Sequence, residues 1–493
     1  MHLRVVARHF AVAFGVVTLA LMCGGLRALS IAPMLYTYLF FPVLIIELAV
    51  VIFIIKKNHD VKWLFLFLIF ELLFAQFVAF YDFAFIVQNK IPGNFAVALL
   101  AHAVTVIKGN SAPIIVVTFF CLFLWSSRKM NSAKRVQNAF CVLTPLVCFH
   151  PLIYDIPVFP FFYFLNSIGF TQFFYEIGYY QSYLLVMVVM TVLVGFLMDR
   201  KYLRPVALSL FMVIVLSIDS SHESASGKSY AENSKDAQYL TTVNRRLPNT
   251  AWKYVIEPGF GNLIKDLKSK VFQNDSQISS LFFWPEATFF FPKDNPEYLR
   301  NITNRLSSDL PGSHYLGILY MKDREGAKEA IATYGLFSGT EFVRPEYQKM
   351  YPVPFDENPY YFPFYFSSRI QNPLTVLPGT SAGFIQSKNM KVLVFLCNEL
   401  FYMNRVLAEA RKYKPDLIVL AANAPVEFKN SFRPQLIEVA AVVSGFAKIP
   451  TLSIFSSWGS VTHSSGKLVG EYASKDFINI IPFTQNASGQ VQW

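Results

Sequence analysis

Charge is scarce in this chain, and cysteine is scarcer still. Only 15% of the 493 residues are Asp, Glu, Lys or Arg, against 54% hydrophobic, which excludes an ordinary soluble protein. Of the five cysteines, Cys23, Cys121, Cys141 and Cys148 lie inside apolar segments, where a thiol behaves as a small hydrophobe. They show no metal-ligand spacing. Histidine is as sparse: after residue 218 there are only His222, His314 and His463, too far apart in sequence for a metal motif. Gly227-Lys-Ser lacks the upstream glycine of a phosphate loop, and Ser457-Trp-Gly-Ser460 lacks the flanking glycines of a nucleophile elbow. No internal repeat or heptad array is present.

What fills the first 220 residues instead is apolar sequence. Runs of spanning or near-spanning length occur at about 8–26, 34–55, 63–88, 95–126, 137–153, 180–198 and 205–218. They predict an integral membrane protein with a transmembrane domain over 1–220 of about seven helices. The first run follows Arg4 and Arg8 without a small-residue cleavage site, so it reads as a retained helix rather than a signal peptide. Up to residue 220 there are 15 Lys and Arg against 8 Asp and Glu, which is +7 of the total +11. That excess is topological and does not point to nucleic acid. Arg4, Arg8, Lys56, Lys57, Lys62, Arg128, Lys129, Lys134, Arg135, Arg200, Lys201 and Arg204 fall on one side, against Arg27, Lys90 and Lys108 on the other. The positive-inside rule then places the amino terminus in the cytoplasm and everything after residue 218 outside. The aromatic stretch at 154–178 reads as an interfacial segment on the outer face, since an eighth crossing would break the charge alternation.

From residue 221 the composition turns to Ser, Lys, Asn and Asp, a linker opening a second domain over 221–493. There, short β-rich runs (281–284, 315–320, 392–397, 417–421 and 451–455) alternate with helix-like stretches (296–308, 404–412 and 434–445). This is an α/β pattern over a length sufficient for one buried core.

Cys397, the only cysteine of this domain, ends the apolar run that begins at Lys391. With no intrachain partner in a segment expected to be exported, its sulfur is either a core atom or a nucleophile. Two further stretches bring acid and base types to strand ends: Trp284-Pro-Glu286, and Lys349 through Glu357. A Glu, a Lys and a Cys at neighbouring strand ends make a complete acyl-transfer site. The carboxylate takes the thiol proton, the thiolate attacks a carbonyl, and the ammonium lowers the thiol pKa and stabilises the oxyanion.

These stretches, with their order, their separations of 63 and 48 residues and a multi-span amino-terminal half, resemble the membrane-bound branch of the nitrilase superfamily, the apolipoprotein N-acyltransferases. The resemblance implies a nitrilase-like α-β-β-α sandwich on the extracytoplasmic side of a bacterial inner membrane. It makes Glu286 the general base, Lys349 the oxyanion-stabilising cation and Cys397 the nucleophile. Glu357, Glu399 and Asn398 become supporting residues, and Trp284, Phe355, Tyr360 and Tyr361 substrate contacts. It implies a phospholipid acyl donor, the amino-terminal cysteine of a lipoprotein or another amine as acceptor, and no cofactor or metal. The aromatic runs Phe289 to Phe291 and Tyr360 to Phe366 read either as guides for acyl chains or as core.

The chain departs from the family pattern at several places. Asn398 stands where the family has Tyr, Asp356 where it has Gly, and Pro352 where it has Leu; Asn423 to Phe428 replaces an Asn-Asp-x-Trp-Phe stretch, and the family's last transmembrane helix has no counterpart in 476–493. Two other readings therefore stand beside the first. One is a nitrilase-type amidase, or an acyltransferase serving a different acceptor such as a secretion or conjugation apparatus. The other is an inactive membrane scaffold.

Overall fold

The structure is a computed structural model. It describes residues 2–31, 61–79, 95–109, 238–243, 258–272, 281–286, 288–292, 296–324, 327–338, 341–352, 374–379, 383–386, 390–423, 432–455, 458–472, 478–486 and 490–493, with isolated positions between 46 and 181. The chain divides into two compact units, Met1–Glu223 with Asn430–Gln435, and Ser224–Lys429 with Leu436–Trp493.

The first unit contains helices α1 (His2–Ile31), α2 (Val61–Ala79) and α3 (Phe95–Gly109). Phe10, Phe14 and Met22 on α1 are exposed, an apolar surface that water does not favour. Helices α1 and α2 approach closely at Gly24, where a Cβ would lie 2.7 Å from the Glu71 carbonyl oxygen. Small residues permit such backbone contact between apolar helices. Among the described residues one stretch, His9–Leu26 of α1, is long and apolar enough to cross a membrane. The crossings expected at 34–55, 137–153, 180–198 and 205–218 lie wholly or largely outside the described residues, so what is described supports one spanning helix and not the expected bundle of seven.

The second unit is layered. Its strands are β1 (Gln238–Val243), β2 (Leu281–Phe283), β3 (Phe289–Pro292), β4 (Ser313–Arg324), β5 (Ala327–Ser338), β6 (Glu341–Gln348) and β7 (Leu374–Val376). They continue with β8 (Phe384–Gln386), β9 (Lys391–Leu396), β10 (Leu417–Ala422), β11 (Thr451–Phe455), β12 (Gly459–Thr462), β13 (Leu468–Tyr472), β14 (Ile478–Gln485) and β15 (Val491–Gln492). One sheet runs β15-β14-β1-β2-β4-β5-β6, with β3 on β4 and β7 on β5; the other runs β13-β12-β11-β10-β9-β8. Strand β2 is parallel to both β1 and β4, and β9, β10 and β11 are mutually parallel.

The sequence of β9 and β10 explains the layering. Val392–Leu396 and Leu417–Ala422 are unbroken apolar runs with every residue fully buried, as parallel strands covered on both faces require. Val392, Val394, Leu396, Leu417, Val419 and Ala421 enter a core between the two sheets, meeting Phe283, Tyr315, Tyr334 and Tyr347 of the first. The alternate residues Leu393, Phe395, Ile418 and Leu420 face the other way and leave an apolar face for α6 (Met403–Tyr413) and α7 (Phe432–Ala447), whose Val406, Ala410, Val439 and Val443 are buried. On the far side of the first sheet, α4 (Pro258–Phe272) and α5 (Pro296–Asp309) bury Leu263, Leu267, Ile302 and Leu306 against Phe282, Leu316 and Phe337. The alternating pattern predicts an α/β domain, and the layering observed is the α-β-β-α sandwich that the resemblance implies.

Candidate active site

Parallel strands deliver their following residues to a common edge of the sheet. Glu286 comes from the turn after β2, where the Thr288 hydroxyl donates to the Pro285 carbonyl at 2.7 Å and closes the bend. Lys349 is the first residue past β6. Its backbone N–H donates to Ala332 at 2.9 Å, and its carbonyl accepts from the Gly379 N–H at 2.7 Å. The Lys349 ammonium lies 2.8 Å from a Glu286 carboxylate oxygen, with the two side chains 0% and 4% exposed. The other Glu286 oxygen faces the backbone N–H of Asn423, 3.4 Å away at the end of β10. A lysine buried to this degree requires a partner charge, and Glu286 supplies it.

Cys397 follows β9 directly and takes a φ of 54°, a left-handed conformation that costs a non-glycine residue roughly 1–2 kcal/mol. It opens a short 3-10 helix, Cys397–Phe401. It is in no disulfide and only partly buried, so it is not a sealed core atom. The strand pairing sets Ala421 of β10 beside Leu396 of β9. The end of β10 that reaches Glu286 therefore neighbours the end of β9 that carries Cys397.

Glu399 joins the cysteine segment to the lysine segment. Fully buried, it accepts at one oxygen from the backbone N–H groups of Met350 and Tyr351, at 2.7 and 3.2 Å. Its other oxygen accepts from the Leu396 N–H at 2.8 Å and from the Tyr347 hydroxyl. Leu396 precedes the cysteine and Met350 follows the lysine, so a single carboxylate sets the two strand ends in register. Burial, and after it the Glu399 charge, pushes the Tyr347 hydroxyl well above its ordinary pKa, which keeps it protonated as a donor. Arg405 on α6, which the sequence pattern does not single out, completes the network with an N–H donated to Glu399 at 3.2 Å.

The remaining expected residues divide. Asn398 lies within the 3-10 helix. Glu357, Phe355, Tyr360 and Tyr361 lie outside the described residues. Trp284, expected as a substrate contact, has its side chain fully buried on the helix side of the first sheet with Phe289, Leu267 and Leu306. Its carbonyl accepts from Tyr334 at 2.8 Å, so it anchors the turn that presents Glu286. Phe289 belongs to the same core, which assigns that residue of its aromatic run to packing. Among the described residues no group of three or more His, Cys, Asp or Glu is placed to hold a metal ion.

No family model and no curated protein matches the sequence. Solved structures similar to it include Nit3 of Saccharomyces cerevisiae, a member of branch 10 of the nitrilase superfamily, with 12% identity over 50% of this chain and 90% of that one and a TM-score of 0.37. An amidase from Nesterenkonia sp. matches with 11% identity over 50% of this chain and 89% of its own, at a TM-score of 0.36. The glutamine-dependent NAD+ synthetase of Acinetobacter baumannii matches with 9% identity over 52% and 47%, at 0.37. At these scores the likeness is loose, and the geometry around Glu286, Lys349 and Cys397 carries the functional reading alone.

Proposed function

We propose that the second unit is a nitrilase-type cysteine enzyme that transfers an acyl group through a thioester on Cys397, and that its physiological reaction is N-acylation at a bacterial inner membrane. The observation that carries this reading is the buried Lys349–Glu286 ion pair, tied through Glu399 to the strand end that bears a thiol in a left-handed backbone conformation. A structural ion pair would not need a partly exposed cysteine at a neighbouring strand end, and burial makes an ion pair weak support for stability on its own.

In the first step Glu286 takes the Cys397 proton and the sulfur attacks the carbonyl carbon of an ester. Lys349 stabilises the tetrahedral oxyanion. The carbon–oxygen bond then breaks, Glu286 returns the proton to the departing oxygen, and the acyl group remains as a thioester. In the second step an amine nitrogen attacks the thioester, the carbon–sulfur bond breaks, and Glu286 passes the amine proton to the sulfur. An amide and the free thiol result. The apolar α1 and the long apolar runs that precede this unit favour a phospholipid as donor and an amine presented at the membrane as acceptor, the amino-terminal cysteine of a lipoprotein above all. Asn398 and the replaced stretch at 423–428 favour a second reading with the same thioester and another acceptor.

The test is intact-mass analysis of the full-length protein in nanodiscs after incubation with phosphatidylethanolamine, comparing wild type with Cys397→Ala. A hydroxylamine-labile adduct of one fatty acyl mass on wild type alone is the expected result. Absence of any adduct across phosphatidylethanolamine, phosphatidylglycerol and short-chain amides overturns the thioester mechanism.

A further inference from the structure

Arg405 occupies an unusual position relative to the two segments of the site. Only 9% exposed, its guanidinium donates to Glu399 at 3.2 Å, to the Tyr347 hydroxyl at 3.0 Å and to Glu409 at 2.7 Å. Its central carbon lies over three aromatic rings, 5.1 Å from the Tyr351 centroid, 5.7 Å from Phe395 and 6.0 Å from Tyr347. Tyr347 and Tyr351 stand two residues before and two after Lys349, and Phe395 and Glu399 stand two before and two after Cys397. One side chain therefore touches both flanks of the lysine and both flanks of the cysteine, which belong to different sheets.

We propose that Arg405 is the positioning residue of the site, a clamp on α6 that fixes the lysine segment against the cysteine segment. The proposal rests on Cys397 being the reactive thiol. A rigid fork with several donors holds a carboxylate, a hydroxyl and a second carboxylate at once among three aromatic rings; a lysine at this place keeps the charge and loses that geometry. Loosening the clamp lets the ammonium drift from the sulfur. Misplacements of this order have large effects on rate because the reacting groups must meet within a narrow range of distances.

The experiment uses the full-length protein in nanodiscs with Arg405→Lys and Tyr347→Phe, which removes one hydroxyl only. Two readouts are taken: the pH dependence of Cys397 alkylation by iodoacetamide, and the rate and KM of acyl-adduct formation from phosphatidylethanolamine. In Arg405→Lys the alkylation midpoint is expected to rise by about half a pH unit or more, because the thiolate loses its cation, and the acylation rate to fall about tenfold or more with KM unchanged. Tyr347→Phe is expected to shift both in the same direction by less. A purely structural arginine gives the opposite outcome, a lowered melting temperature with the wild-type alkylation profile and acylation rate, and that result overturns the clamp. If Arg405→Lys fails to fold, an unchanged profile in Tyr347→Phe overturns it equally. Alkylation needs no substrate, so a shifted profile in a protein that forms no acyl adduct supports the clamp while sinking the acyl-transfer reading.

Discussion

The Lys349 ammonium and the Glu286 carboxylate face each other at 2.8 Å with essentially no access to water. Each therefore depends on the other for its charge. Removing one partner leaves the other buried and uncompensated, which costs about 3–5 kcal/mol, whereas replacing both with neutral groups of similar size is far milder. Glu286→Gln and Lys349→Met are each expected to lower stability by that amount and to abolish acyl-adduct formation. The double variant Glu286→Gln/Lys349→Met is expected to regain most of the stability and none of the activity. Chemical unfolding and intact mass on the four proteins check this, and additive losses in the double variant contradict it.

At Cys397 the backbone φ of 54° is unfavourable for any side chain with a Cβ. Cys397→Ala keeps that penalty and Cys397→Gly relieves it, so the glycine variant is expected to be more stable than the alanine variant by about 1 kcal/mol, although glycine is ordinarily the less stabilising residue. Both are expected to be inactive. Melting temperatures of the two variants decide the matter, and an alanine variant more stable than the glycine one would mean that the strand-to-helix turn relaxes in solution.

Why some of this was legible in the sequence and some not follows from where each residue sits. Glu286, Lys349 and Cys397 stand at or just past the ends of strands, the first and last after apolar runs, and acid, base and nucleophile types at such ends are visible in one dimension. Arg405 was not visible, because Arg405, Arg411 and Lys412 share one short helix and only the fold buries the first while exposing the other two. Trp284 stands two residues before Glu286, and its side chain joins Phe282 in the helix-side core, as alternate residues of an extended segment share a face; the chain turns after β2, and a turn of this kind is not read from residue types alone. The strand expected at 315–320 extends to Ser313–Arg324, and Ala327–Ser338 is a strand despite the helix-forming residues of its first half, because it pairs with its neighbour over twelve residues. Four of the expected transmembrane runs fall mainly where the described residues do not reach, so hydropathy remains their only warrant.

Gly379 supports the backbone of Lys349. Its N–H donates to the Lys349 carbonyl, and a Cβ there would lie 2.5 Å from the Gln348 carbonyl oxygen, within the backbone that leads into the lysine. Backbone cannot swing aside as a flexible side chain can, so Gly379→Ala is expected to displace Lys349 and lower the acylation rate by about tenfold or more. Stability is expected to fall by about 1–3 kcal/mol, as for other overpacked positions. Adduct kinetics beside a melting curve test it; an alanine variant with wild-type kinetics shows that the strand end accommodates the methyl group without moving the ammonium.

His314 gives the domain a pH dependence of stability that does not pass through the active site. It is fully buried, stacked on Phe282 with ring centroids 4.5 Å apart, and one ring nitrogen lies 2.8 Å from the Leu310 carbonyl oxygen. Burial lowers its pKa to about 4 from an ordinary 6.5, the bond to Leu310 opposing the shift. Between those values the unfolded chain binds a proton that the folded one refuses, so stability is full above about pH 6.5 and is lost as the pH falls toward 4. The loss approaches roughly 3 kcal/mol for the complete shift. In His314→Phe no imidazole remains to protonate, and the ring still stacks on Phe282. Melting temperature measured from pH 7 down to pH 4.5 should therefore fall less steeply in the variant than in wild type, and parallel curves for the two proteins would show that other groups govern the acid sensitivity.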